Sequence, residues 1–251
     1  MQRANVLYGQ VLGAGLLADI AAPDADGPFP VILSVHGGRW FRGHRRDSSA
    51  IDVHQWADLG FFAMSIDYRL VTCTPAPACY QDFLCAIRWI HAHKEVYNLD
   101  VNRFFLIGMS AGGHLVSLAS TLGDGRFDRT GGWEDQPHTF TAAVSVSGAY
   151  DLCQLDWGAG WMPLGEPWDE ARRYASPITH VRADTRPLLV MHSDDDGSIP
   201  VQQALDMVAR LQDAEAPHEF IHYTDRGHMP INEEVVTRSR AFIDGYMGSM
   251  T

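Results

Sequence analysis

Basic residues are scarce in this chain, cysteines are few, and long apolar runs are absent. Lys and Arg number 19 against 31 Asp and Glu, giving a formal net charge of -12. A surface of that sign repels phosphate backbones and anionic bilayers alike, so neither nucleic acid nor membrane is an expected partner. No stretch approaches the roughly 20 apolar residues that a membrane-crossing helix needs. The opening MQRANVLYGQ lacks the basic-then-apolar build of a signal peptide, so a cytoplasmic location, or a secreted form already processed, is expected. The cysteines, Cys73, Cys79, Cys85 and Cys153, include no CxxC pair and suggest no metal site. Cys73 and Cys79 flank the segment TPAPA and could bridge in an oxidising compartment, although reduced structural thiols are the expectation. No cofactor is called for, and no repeat, low-complexity tract or linker interrupts the chain.

What is present is an ordinary globular balance: 251 residues, 46% hydrophobic and 20% charged. That is enough apolar material for one α/β domain spanning 1–251. Short runs rich in β-branched and aromatic residues read as strands at Val31–Val35, Phe61–Tyr68, Arg103–Gly108, Ala142–Ser147, Leu188–His192 and Glu219–Tyr223. Helical patterns fall between them, at Ser48–Leu59, Tyr80–Tyr97, Ser110 to about Leu122, Val201–Ala214 and Glu233–Met247. Val6–Ile20 reads as an antiparallel edge hairpin. The β-α-β order from residue 30 onward predicts a mainly parallel, doubly wound sheet of about eight strands with helices on both faces.

The strand RFFLIG runs into Gly108-Met109-Ser110-Ala111-Gly112-Gly113 and then a helix. This is G-x-S-x-G in the strand–turn–helix setting that exposes a serine oxygen above a sheet. The flanking glycines let neighbouring backbone pass, and the helix aims its first amides where an oxyanion would form. A bare glycine-rich turn or a phosphate loop would share the pattern, but no G-K-[ST] follows. One strand–helix–strand unit earlier stands His36-Gly37-Gly38-Arg39-Trp40. Adjacent glycines let a loop turn its N–H groups inward, so Gly37, Gly38 and Ala111 are the candidate oxyanion donors. His36 is expected to brace that loop by hydrogen bonding.

Downstream, Leu188–His192 ends in Ser193-Asp194-Asp195-Asp196-Gly197-Ser198-Ile199-Pro200. Three aspartates in a row leave the choice open, and Asp194 or Asp195 could instead cap the turn through its own backbone. Asp196, nearest the helix entry, is the preferred acid, with Asp151 as an alternative from the neighbouring strand. The run could also attract a cation, but a helix-entry loop accounts for it without one. The last strand leads to Arg226-Gly227-His228-Met229, and His228 is the candidate base. Of the 12 histidines it alone combines a preceding glycine with a position after the last strand. The chain order Ser, Asp, His suits nucleophilic serine chemistry on such a sheet. Arg39, Trp40, Met109, Ile199 and Met229 adjoin these positions and are the candidate pocket lining.

These residues carry a resemblance. The sequence resembles small bacterial carboxylesterases of the α/β-hydrolase superfamily, near the hormone-sensitive-lipase and feruloyl/acetyl-xylan esterase branch. The matching pieces are HGGRWFRG (36–43), SIDYRL (65–70), AIRWIHAH (86–93) and NLDVNRFFLIGMSAGGHL (98–115), then ASPITHV (175–181), PLLVMHSDDDGSIP (187–200) and DRGHM (225–229). The resemblance implies a Ser110–Asp196–His228 triad, since the family's acid stands four residues before the proline, here Pro200. It departs at Arg39, where the family usually has a third glycine, placing a charge near the mouth, and at Met109, where glutamate is common. Between Tyr150 and Pro187 lies room for only a short excursion, 151–186, carrying Trp157, Trp161 and Trp168, so no large lid is expected. The implied activity is hydrolysis of short- to medium-chain carboxylic esters, by a monomer or small homo-oligomer acting on small molecules. Arylformamidase-type amide hydrolysis and sugar-ester hydrolysis remain alternatives, as does a non-catalytic binding protein on the same scaffold.

Overall fold

A computed structural model of the chain describes residues 1–248. Among them, eight strands form one sheet: β1 (Gln2–Val11), β2 (Ala14–Ala21), β3 (Phe29–Val35), β4 (Phe62–Ile66), β5 (Leu99–Met109), β6 (Ala142–Val146), β7 (Leu188–Ser193) and β8 (His218–Tyr223). Their order across the sheet is β1-β2-β4-β3-β5-β6-β7-β8. The β1–β2 and β2–β4 pairs are antiparallel, and all the others are parallel. The edge hairpin expected around residues 6–20 is there and longer. Its two-residue turn uses Leu12 (φ 48°) and Gly13 (φ 83°), the doubly positive backbone that matches strand twist.

The central strands are apolar on both faces because both faces are covered. Along β3, Val31, Leu33 and Val35 enter one core while Ile32 enters the other. Strand β5 divides the same way, Phe104 and Leu106 against Phe105 and Ile107, and β7 divides Leu188 and Val190 from Leu189 and Met191. The larger core is closed by α2 (Ala78–Ala92), α3 (Ala111–Thr121) and α5 (Gln202–Asp213). The smaller is closed by α1 (Val53–Asp58) and α6 (Glu233–Asp244), through Trp56, Val235 and Phe242. A further helix, α4 (Trp168–Tyr174), and three single 3-10 turns make up the excursion between β6 and β7.

Chain direction reverses around β3. Its crossover through α1 leads to β4 on one side, whereas α2 carries the chain back past β3 to β5, and later strands continue away. In an open parallel sheet, loops at such a switch point leave in opposite directions and open a crevice at the carboxyl ends of the strands. Here those ends are His36–Gly37 after β3 and Ser110 after β5.

Three helices are shorter than their sequence patterns. The pattern over Ser48–Leu59 becomes helical only at Val53, capped by Asp52 accepting from the His54 amide. Before it, the Asp47 carboxylate accepts from the His44 and Ser49 amides, a local turn that competes with helix. The helix expected through Tyr97 stops at Ala92, and that expected through Met247 stops at Asp244.

Candidate active site

Ser110 occupies a backbone position that few residues tolerate, φ 57° and ψ -116°, between β5 and α3. Its amide donates to Val146 O at 2.8 Å and its carbonyl accepts from His114 N at 2.9 Å, so both sides of the turn are fixed. The flanking glycines are sterically required. A Cβ on Gly108 would stand 2.3 Å from Gly112 O, and one on Gly112 would stand 2.1 Å from Val35 O. The sharp turn therefore exists because these positions have no side chain, and non-glycine strain is held at the serine itself.

His228 reaches Asp196 from the loop after β8, with Nδ1 at 2.8 Å from Oδ2 and 3.0 Å from Oδ1. Asp196 Oδ1 also accepts from the amides of Ser198 (2.8 Å) and Ile199 (2.9 Å). Burial acts to raise the Asp196 pKa, but the hydrogen bond from His228 and the two amides outweigh it and hold the carboxyl below its ordinary value. An ionised carboxylate can only accept, so Nδ1 carries the proton and the imidazole leaves Nε2 as a base. Ser110 and His228 line one cleft of about 290 Å³ without a hydrogen bond between them. Serine–histidine contacts of this kind commonly tighten only when substrate is bound.

The three consecutive aspartates have separate tasks. Asp194 pairs with His222 at 2.6 Å, and its amide donates to Tyr223 O. Asp195 accepts from Gly227 N (2.7 Å) and from the Ser193 hydroxyl, tying down the residue before His228. Only Asp196 faces the imidazole. Asp151, the alternative acid, caps the turn at Leu152–Gln154 and accepts from Cys153 N. Two groups in this half carry no signal in the sequence. His192 lies buried with Nε2 3.5 Å from Asp196 Oδ2 and donates to Ile199 O at 2.9 Å, while burial lowers its pKa and keeps it neutral. Ser147 accepts from Met229 N at 3.2 Å and fixes the other side of the histidine loop.

On the opposite wall, Gly38, Arg39 and Trp40 have φ values of 104°, 56° and 65°. The expectation for Gly37 is corrected here: its amide already donates to Ser49 Oγ at 2.9 Å. Ser49 Oγ in turn donates to Asp47 Oδ1. The amides of Gly38, Arg39 and Ala111 meet no acceptor among the described residues, and Ala111 opens α3, where a first-turn N–H has no carbonyl behind it. The available donors are therefore Gly38 and Ala111, joined by Arg39 in place of Gly37. His36 braces the loop as expected. Its Nδ1 donates to Gly37 O at 2.7 Å and its ring stacks on Tyr68 at 4.2 Å.

The expected pocket lining divides. Arg39 and Met109 line the cleft, together with Arg42, Ser48 and Ser198, which the sequence did not single out. Trp40, Ile199 and Met229 do not. Trp40 is fully buried among His114, Trp157 and Trp161, with ring centres 5.0–5.5 Å away. Ile199 belongs to the larger core and Met229 to the smaller. Each neighbours a site residue in sequence but points the other way. Of the excursion's tryptophans, Trp161 is buried, Trp168 is exposed, and Trp157 donates Nε1–H to Ser198 O at 3.1 Å. All four cysteines are free, with Cys73 exposed and Cys79 buried.

A larger depression of about 590 Å³ adjoins the cleft across Asp47 and Ser48, on the β1–β2 side. It holds neither Ser110 nor His228, and two of its three arginines, Arg45 and Arg46, are paired with Asp19. Size does not locate the chemistry here. No helix among the described residues is long and apolar enough to cross a membrane.

Comparison with known proteins bears on the family and the fold. Residues 18–211 match the BD-FAE family. Among curated relatives, "Probable carboxylic ester hydrolase LipM" of Mycobacterium tuberculosis is 34% identical over 83% of this chain and 51% of its own length. "Esterase LipC" of the same organism is 29% identical over 84% of this chain and 55% of its own. The chain thus spans about half the length of the curated relatives it matches. Of solved structures, a truncated carbohydrate esterase from gut microbiota superposes with a TM-score of 0.86 at 23% identity, covering 98% of this chain and 96% of that one. The butyrate-bound esterase Est2 of Thermogutta terrifontis gives 0.81 at 20% identity, over 98% and 95%. These two show a shared fold.

Proposed function

The chain belongs to the BD-FAE family and has the α/β-hydrolase fold, and from that premise we propose that it is a serine carboxylesterase acting on short- to medium-chain esters through an acyl-enzyme. The observation that carries this reading is the bond from His228 to the buried Asp196, with the imidazole lining the same cleft as a strained Ser110.

In this reading His228 Nε2 takes the Ser110 proton as Oγ attacks the ester carbonyl. The carbonyl oxygen becomes negative and is met by the amides of Gly38, Arg39 and Ala111, each such donor contributing about 3–4 kcal/mol of transition-state stabilisation. Asp196 holds the imidazole in the required tautomer and stabilises the imidazolium without taking its proton. The imidazolium then protonates the departing alcohol. Water, activated by His228, attacks the acyl-serine and releases the acid. Because the Asp196 carboxyl is held below its usual pKa, the pair stays intact at pH values where a free aspartate begins to protonate. A cleft of about 290 Å³ with polar walls at Ser48, Ser49 and Ser198 supports small substrates with a polar alcohol half.

The test is a burst assay with p-nitrophenyl acetate, butyrate and octanoate, run beside Ser110→Ala. A stoichiometric burst is expected from the wild type, strongest with the shorter chains, and a loss of about a millionfold in kcat on substitution. Wild-type turnover that survives Ser110→Ala would remove the serine from the mechanism.

A further inference from the structure

Two arginines stand in the cleft beside Ser110 and His228. Arg39 extends from the amide-bearing loop to the opposite wall, where its guanidinium lies 5.8 Å from the ring of Trp157. Trp157 is itself held by its bond to Ser198 O, and Ser198 lines the same cleft. Arg42 lies three residues on, its amide donating to Gly38 O at 3.2 Å. Neither guanidinium meets a carboxylate among the described residues. In the neighbouring loops, by contrast, Arg45 meets Asp19 and Asp67, Arg46 meets Asp19, and Arg69 meets Asp82. The one carboxylate in the cleft lining, Asp47, is already engaged on both oxygens, by Ser49 on Oδ1 and by the His44 amide on Oδ2. In a chain of net charge -12, this cleft is a local inversion of sign.

A guanidinium left without an acid and set against an aromatic face is prepared for a planar anion. Its fork matches both oxygens of a carboxylate, and the ring contact limits the freedom lost on binding. We propose that Arg39 and Arg42 are specificity-determining residues that select esters carrying an ionised carboxylate, with Arg39 as the principal contact. The proposal rests on the esterase reading above and narrows its substrate class. The carboxylate belongs either to the acyl half, as in a hemiester of a dicarboxylic acid, or to the alcohol half, as in an acylated hydroxy acid.

Two matched pairs separate these sources: monomethyl succinate against methyl butyrate, and 4-acetoxybenzoate against 4-acetoxybenzamide, each followed by kcat/KM in a pH-stat. The wild type is expected to favour the charged member of one pair by about tenfold, in line with a charged hydrogen bond. That ratio should shrink about tenfold in Arg39→Gln, less in Arg42→Gln, and also in the wild type as NaCl rises towards about 0.5 M. The salt arm needs no variant and stands if either substitution disturbs the loop. A charged-to-neutral ratio at or below one in both pairs, with neutral esters turned over, overturns the arginine assignment and leaves the esterase intact. Absence of turnover with every ester, charged and neutral, overturns both.

Discussion

The two walls of the cleft are built on opposite plans. On the histidine side the groups that set the loop are engaged: Asp196 takes three donors, Asp195 and Ser147 anchor the loop on either side of His228, and His192 Nε2 secures Ile199 O. On the glycine side the amides of Gly38, Arg39 and Ala111 and the heads of Arg39 and Arg42 have no partner among the described residues. Arg39 and Arg42 are exposed, so water serves their heads in the free protein, whereas an unpaired donor at buried Ala111 is costly. The concentration of unpaired donors on one wall, next to a bonded one, separates the part that fixes the base from the part that waits for a ligand.

This contrast can be broken at several points. Asp196→Asn should do most damage, because an amide can present its N–H to Nδ1 and stabilise the wrong tautomer. A fall of about 10⁴-fold in kcat is expected, with KM little changed, from steady-state kinetics on p-nitrophenyl butyrate. Asparagine activity within tenfold of wild type would mean that the histidine side is not the catalytic wall. Gly38→Ala tests the other side. Alanine there adopts φ 104° only with strain, and its Cβ would lie 2.1 Å from Arg42 O, so the amide must move. About 10²- to 10³-fold in kcat should be lost, the size of one misplaced oxyanion donor. Ser49→Ala sharpens the comparison most gently. It strips the acceptor from the Gly37 amide, one of the few engaged groups on the open wall, and should lower kcat about tenfold. As a positioning residue, Ser49 should be rescued by threonine, and the loss should fall on kcat rather than KM.

The strands and the serine elbow were legible because they depend on local pattern: short β-branched runs, and glycines forced by backbone contact within a few residues. The turn at 44–52 was not, since Asp47 folds back on its own neighbours where an apolar period suggested helix. Trp40, Ile199 and Met229 were misjudged for a related reason. Adjacency in sequence says nothing about which side of a strained loop a side chain leaves, and all three leave toward the core. Among Asp194, Asp195 and Asp196, sequence position alone favoured the last, and only the arrival of the β8 loop distinguishes their tasks. The engagement of Gly37 by Ser49, and of Ile199 by His192, links groups that no motif brackets together.

The sheet order carries a last consequence. Ser110 follows β5 and His228 follows β8, with β6 and β7 lying between them across the sheet. Only a stretch of chain that runs from β5 through the loop after β8 can hold both groups at working distance. Nucleophile and base meet only after every intervening pairing has closed, which makes the site a late, long-range product of folding. The outermost strand, half-exposed along its length, then becomes the hinge on which that meeting depends. Loosening one rim of the sheet is enough to part the two groups while the centre still stands.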